Sequence, residues 1–327
     1  MAERSAISTV AQIGVETTSG TAVAANKLLT SLMVEPTIET ETDEISPQGY
    51  IFSTALSLNR EWSAATYKGY PTYEELTYIL SGLVLATTPS VSGTTGQKWT
   101  FLPTSTGGDT VKTFTIESGS ASRAGKFAYG VFNSMSLKWG RDSTPEVSGN
   151  IFGQKYSDGI TLTATPTALG PTPITPGSIN LYLDTTSGGL GGTQLTKVRE
   201  AELTLDGRWS PVWYLNTTNT SFGGHAEVKP TGTLKVKAAA DSTSMAWLTT
   251  LRAGTTLFAR LQATGPQIGA GPAVNSLKAD MAVQVLEVGK FEDDDGLYAI
   301  EWTFGIVHDA TWTKALTIEL INSLSAL

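Results

Sequence analysis

The chain has 327 residues, 40% of them hydrophobic, and a formal net charge of -8. It has no cysteine and only two histidines, His225 and His308, which excludes disulfides, thiolate nucleophiles and cysteine metal sites and leaves an imidazole site at most two ligands. The acidic balance supplies no basic surface for gripping nucleic-acid phosphates, and no apolar run approaches the roughly 18 residues of a membrane helix.

Residues 1–5 carry no basic region followed by an apolar one, so a signal peptide is not expected and a cytoplasmic origin is the default. Residues 35–60 read as a long polar arm that orders on assembly. Within it Glu39, Glu41, Asp43 and Glu44 form an acidic run, which is ordinarily a solvated face. A helix is expected over Thr72–Leu83. Thr72 and Glu75 have capping-box spacing, and Leu76, Ile79, Leu80 and Leu83 fall on one apolar stripe. That stripe is expected to pack one face of the helix on a sheet as core.

Val131, Asn133, Met135, Leu137 and Trp139 alternate with Ser134, Ser136 and Lys138, as a half-buried strand does. Residues 164–178 are rich in Pro and Gly, so a candidate internal boundary falls near residues 160–178 of what is otherwise read as one domain, 1–327. Residues 160–195 read as a second arm. Gly188, Gly189, Gly191 and Gly192 lack a following Lys-Ser or Lys-Thr, so they make a flexible hairpin tip rather than a phosphate loop.

Further along, Glu200, Glu202 and Asp206 share one strand face, and Ala201, Leu203 and Leu205 share the other. Leu234 and Val236, then Leu257, Ala259 and Leu261, continue the period of two. A second helix is expected over Ser242–Ala253, with Gly254 as its C-terminal cap. Glu292 to Gly296 is a poor calcium loop: aligning Gly296 with the loop glycine puts Phe291 and Trp302 where carboxylates belong, and an Asp-Gly turn between strands fits better. Tyr298, Ile300, Trp302, Phe304 and Ile306 alternate again. A weak echo links 116–152 with 181–215 at a spacing of about 65 residues. These runs, separated by turn residues, give a mainly β protein: a β-sandwich or barrel with one or two short helices packed on the sheets and long loops or arms.

Four segments, spread over most of the chain, carry a family resemblance. They are Gln12 to Thr18 with Gly20 to Ala25, Tyr67 to Leu76, Phe132 to Trp139 running into Glu146 to Gln154, and Asp295-Gly296 followed by Asp309 and the end from Ile318 to Leu327 with Asn322. In order and spacing they resemble the tail tube proteins of long-tailed bacteriophages. The resemblance implies usually six-membered rings whose sheets join across subunits and which stack into a hollow tube. It further implies arms that bridge rings, a commonly acidic lining, and DNA that passes through without specific binding. The implied partners are further copies of the chain and other tail proteins, with no membrane. The implied location is the virion tail, after synthesis in the host cytoplasm.

Glu200, Glu202 and Asp206 are then candidates for the lining, where carboxylates would repel phosphates. No catalytic residue, metal or cofactor is expected. The alternative is a carbohydrate-binding or adhesive β-sandwich of a virion or cell surface, using some of the eight tryptophans for stacking. A hydrolase ranks third, because neither histidine has a credible partner.

Overall fold

The computed structural model describes residues 8–141, 143–215 and 219–327, so the reading of residues 1–5 lies outside the described residues. The first elements are β1 (Val10–Val15), β2 (Lys27–Leu29), β3 (Leu32–Ile45), β4 (Ala55–Gly69), helix α1 (Glu75–Leu83), β5 (Ser90–Ser92) and β6 (Gly96–Phe101). There follow β7 (Phe114–Ser120), β8 (Arg123–Phe132), β9 (Ser134–Gly140), β10 (Ser143–Gly153), β11 (Ser157–Ile160), β12 (Thr167–Ala168) and β13 (Ile179–Asp184). The remainder is β14 (Val198–Asp206), β15 (Trp209–Val212), β16 (Gly224–Glu227), β17 (Thr231–Ala239), α2 (Ser242–Met245), α3 (Trp247–Ala253), β18 (Leu257–Gln267), β19 (Val274–Asp294), β20 (Leu297–Ile306) and β21 (Leu316–Asn322). The protein is mainly β, as its alternating runs predict.

One long antiparallel sheet dominates, in the order β3-β4-β10-β9-β14-β17-β20-β19. Two smaller sheets cover it. The first runs β12-β2-β1-β7-β8-β11 and the second β13-β18-β19-β21-β6-β5. The 21-residue β19 belongs to both layers: residues 274–283 pair with β18, and residues 283–294 pair with β20. Met135, Leu137 and Leu203 of the long sheet converge with Leu277, Ala279 and Ile318 of the second small sheet and with Leu76 and Leu80 of α1. This is the interior of a sandwich, and one continuous apolar cluster fills it.

Helix α1 begins at Glu75, later than expected, although Thr72 Oγ1 does accept from Glu75 N at 3.2 Å. The Glu75 carboxylate does not return to the Thr72 backbone. It accepts from Thr30 N at 2.5 Å, from Ser31 N at 3.0 Å and from Ser31 Oγ, tying the β2–β3 turn to the helix. Leu76, Ile79, Leu80 and Leu83 are buried as expected, but so is every other residue of α1. The helix lies between layers rather than on one sheet. Of its polar side chains Glu75 and Thr77 have partners, Thr77 Oγ1 donating to Tyr73 O at 3.2 Å, whereas the Tyr78 hydroxyl and Ser81 Oγ are buried without one.

The second helix is two pieces, with Ala246 at the break. Asp241 caps the first piece, accepting from Thr243 N and Ser244 N, and Gly254 closes the second in the left-handed region at φ 61°. Val131 does not share a face with Met135. The ladder is interrupted at Asn133, so Val131 joins a separate aromatic cluster with Trp209 and Phe222, whereas Met135, Leu137 and Trp139 enter the main core.

Both predicted arms need correction. Residues 35–60 belong to the β3–β4 hairpin, paired from Leu32↔Gly69 out to Ile45↔Ala55 with one register shift between Glu41 and Thr42. Their alternating Thr and Glu are β-compatible, and the backbone ladder needs no apolar side chains to form. Residues 160–195 are strapped down rather than free. Thr167 N donates to Asn26 O, Leu169 N to Leu28 O and Ile174 N to Pro71 O, and Leu169, Ile174, Leu181 and Leu183 are buried. The glycine-rich turn is also held: Asp184 accepts from Gly191 N at 3.0 Å and Thr193 N at 2.9 Å. The echo at about 65 residues does not mark equivalent strands, because it aligns β10, which pairs with β9 in the long sheet, with β15, which pairs with β16 in a separate two-stranded sheet.

Candidate assembly surfaces

The outward face of the long sheet carries the predicted acidic set. Ala201, Leu203 and Leu205 are buried beneath it, and Glu200, Glu202 and Thr204 point outward, half-buried, with Asp206 exposed at the strand end. These carboxylates do not form a purely acidic patch. Glu202 lies opposite Lys138 on one side and Lys235 on the other, and Glu200 lies opposite Lys237. Lys138 Nζ is 2.5 Å from Glu200 Oε1, and that hydrogen bond raises the lysine pKa above its usual value. Ser136 Oγ donates to Glu202 at 2.6 Å. Lys68 pairs with Glu146 at 3.0 Å and Lys237 with Glu292 at 2.9 Å, so acid and base alternate across the sheet. Sequence alternation within one strand finds the face; it cannot find the lysines that neighbouring strands bring beside it.

Strand registers place two hairpin turns at opposite ends of this sheet. The β3–β4 turn lies at the end marked by Gly153, Ser134, Asp206, Thr231 and Ile306. The β19–β20 turn lies at the other end, beyond Gly140, Glu200 and Lys237. The first hairpin leaves the body near Arg60, whose guanidinium stacks 5.1 Å from the Trp213 ring and bonds Glu41. Beyond that point it is solvated, yet its tip is apolar: Ile51 is 92% and Phe52 82% exposed, with Ile45, Tyr50 and Leu56 exposed beside them. The second turn is Asp295-Gly296, both with positive φ, as a two-residue type I′ turn requires; Gly296 N donates to Asp293 at 2.7 Å. This is the predicted Asp-Gly turn. It also presents apolar side chains, with Phe291, Leu297 and Tyr298 exposed.

The family-like segments hold the fold together. Glu16 is buried, and its carboxylate accepts from Gly20 N, Thr113 Oγ1, Thr115 Oγ1 and Tyr129 N at 2.8–3.0 Å. Asn322 is wholly buried and links the C-terminal strand to the start of α1.

The histidines lie in different settings. His225 stacks edge-on against Tyr129 and Trp209, with Nδ1 3.2 Å from the Tyr129 hydroxyl, and burial lowers its pKa. His308 lines a cleft of about 480 Å³ together with Asp206, Arg208 and Ile306. Arg208 is fully engaged there by Asp109, Glu227 and the Val84 carbonyl. Among the described residues no cluster of three or more His, Asp or Glu is arranged to hold a metal ion, and no helix is long and apolar enough to cross a membrane.

No family model and no curated relative matches the chain. Among solved structures it is similar to a doubly tryptophan-substituted form of the Hcp1 protein from the E. coli EAEC 042 pathovar, with 16% identity, covering 39% of this chain and 85% of that chain. The TM-score is 0.23, too low for the likeness to bear on fold or function.

Proposed function

We propose that the chain is a structural subunit that assembles with further copies of itself into stacked rings, as the tail tube of a long-tailed bacteriophage does. The observation that carries this reading is the pair of exposed apolar hairpin tips at opposite ends of one open-edged sheet. A monomer gains nothing from holding Ile51 and Phe52 in water at the end of a long ribbon, whereas a neighbouring copy would cover them. Different surfaces at the two ends suit head-to-tail stacking rather than a twofold dimer.

In this reading the rings have six positions and the polar face of the long sheet lines the passage, with Glu200, Glu202 and Asp206 on it. DNA passes without being held, other tail proteins cap the ends, and the protein resides in the virion tail after synthesis in the host cytoplasm. The role is architectural, with no catalytic step.

The sugar-binding alternative is weaker because five of the eight tryptophans are committed to cores: Trp99, Trp139, Trp209, Trp247 and Trp302 are buried. Electron microscopy of the purified chain at rising concentration tests the proposal. Rings or tubes are expected, and particles that stay monomeric even with tail partners supplied would overturn it.

A further inference from the structure

We infer that the chain is a tandem duplication of a single β unit, and that its internal β9–β14 junction is the pattern by which β19 of one copy pairs with β3 of the next. The claim about the next copy rests on the assembly reading above.

The strand pairings carry the first part. In the first half β1 pairs with β7, β7 with β8, β8 with β11, β9 with β10, β10 with β4 and β4 with β3, all antiparallel. In the second half β13 pairs with β18, β18 with the start of β19, the start of β19 with β21, the end of β19 with β20, β20 with β17 and β17 with β14, all antiparallel. The chain order is the same in both lists, with β8 and β9 together matching the single long β19.

The correspondence extends to detail. A helix follows β4 in one half and β17 in the other, each with an oxygen cap at its start, from Thr72 and Asp241. The β8–β9 segment and β19 each cross from a small sheet into the long sheet, and each is irregular near the crossing, at Asn133 and between Val285 and Glu287. At that point Phe132 faces Ile151 in one half and Val285 faces Phe304 in the other.

The long sheet is therefore two groups of four, β3-β4-β10-β9 and β14-β17-β20-β19. They join where β9 meets β14, from Glu200↔Gly140 to Asp206↔Ser134. The same two kinds of edge remain open at the outer limits. β3 pairs in the sheet only with β4, and residues 284–294 of β19 pair only with β20, among the described residues. Both edges expose apolar side chains, Met33 and Ile38 on β3 and Leu286 and Phe291 on β19. An edge of each kind already satisfies the other inside the chain, so a second copy offers each open edge its matching partner in the same antiparallel sense. Each chain then fills two positions of the ring, and a ring of six positions closes with three chains.

Cysteine cross-linking in the full chain tests this cleanly, because no native cysteine interferes. One set of variants carries Glu35→Cys, Thr37→Cys or Glu39→Cys on β3, and a second carries Glu287→Cys or Lys290→Cys on β19. The combination Ser136→Cys with Thr204→Cys, opposite each other in the internal junction, serves as the folding control and is expected to close within one chain. Mild oxidation of mixed assemblies is expected to give disulfides between a β3 variant and a β19 variant, with none between copies of the same variant. A chain carrying one cysteine of each set is expected to yield a closed species of three times 34.6 kDa by native mass spectrometry. Assemblies visible by microscopy that give same-variant cross-links or none overturn this inference and leave the tube reading standing, as does a closed ring of six chains. Absence of both assembly and cross-links overturns both.

Discussion

The Asn322 side-chain amide donates to the carbonyl of Tyr73 at 2.7 Å. The same nitrogen lies 2.7 Å from Thr77 Oγ1, and Asn322 Oδ1 accepts from Leu324 N at 3.0 Å. One fully buried amide thus ties the last strand to the first turn of α1. Asn322→Ala strands the Leu324 amide and leaves the Tyr73 carbonyl with Thr77 Oγ1 alone, and a loss of about 1–3 kcal/mol is expected in denaturant melts. A variant as stable as the parent would show that water or a neighbouring group replaces the amide.

Leu80 lies in the apolar interior, 1% exposed. Leu80→Ala is expected to cost about 2–5 kcal/mol, because rigid sheets on several sides limit collapse into the cavity. Thr72→Ala removes one cap oxygen and is expected to cost less, about 0.5–2 kcal/mol. Thermal melts of the two variants check the order, and a neutral Leu80→Ala would mean that α1 is not in a core.

Glu74 is buried, its Oε2 has no partner, and burial pushes its carboxyl above the ordinary value. An acid whose folded pKa is raised binds its proton more tightly when folded. Stability therefore falls as pH rises from the ordinary carboxylate value through the raised one, and the cost is complete above that window. Glu74→Gln is expected to stabilise the protein at neutral pH and to lose that advantage in acid below the ordinary value. Denaturant melts across that pH range check it; an advantage independent of pH would assign the effect to packing.

These relationships differ in how far the sequence reveals them. The strand around Leu203 is legible because one face is buried and the other wet, which forces a period of two. The capping oxygen of Thr72 is legible because it acts within three residues. The β3–β4 ribbon reads as an unstructured arm because its outer part has no buried face, so its ladder leaves no apolar pattern. The break at Ala246 and the interruption at Asn133 shift a pattern locally and are visible only in the backbone. The segment around Gln12 to Thr18 is recognisable, but three of the four hydrogen bonds that make Glu16 a structural knot come from Thr113, Thr115 and Tyr129, 97 to 113 positions away. The duplication escapes detection because the two halves carry different insertions, β5 and β6 in one and β15 and β16 in the other, which destroy any constant spacing.

The lysines beside the acidic set alter what charge reversal does. From the sequence, replacing Glu200, Glu202 and Asp206 with Lys leaves folding largely unaffected. In the structure Glu200→Lys and Glu202→Lys set cations against Lys138, Lys235 and Lys237. Each opposed pair is expected to cost about 0.2–1 kcal/mol relative to Gln at the same site. If this face lines the passage, tails carrying the triple change eject DNA slowly and recover in high salt. Unchanged ejection kinetics would place the face outside.

The central claim is that exposed apolar arms exist to be covered by other copies. Ile51→Asp combined with Phe52→Asp alters only the solvated tip of the β3–β4 hairpin, so thermal stability of the single chain is expected to be unchanged. The most direct measurement is sedimentation velocity of the parent and this variant over a rising concentration series, with negative-stain images of the fast fractions. The account predicts rings or stacked tubes for the parent and a variant that sediments as unstacked rings or single chains. A parent that remains a single chain at every concentration, or a variant that stacks as readily as the parent, would contradict it.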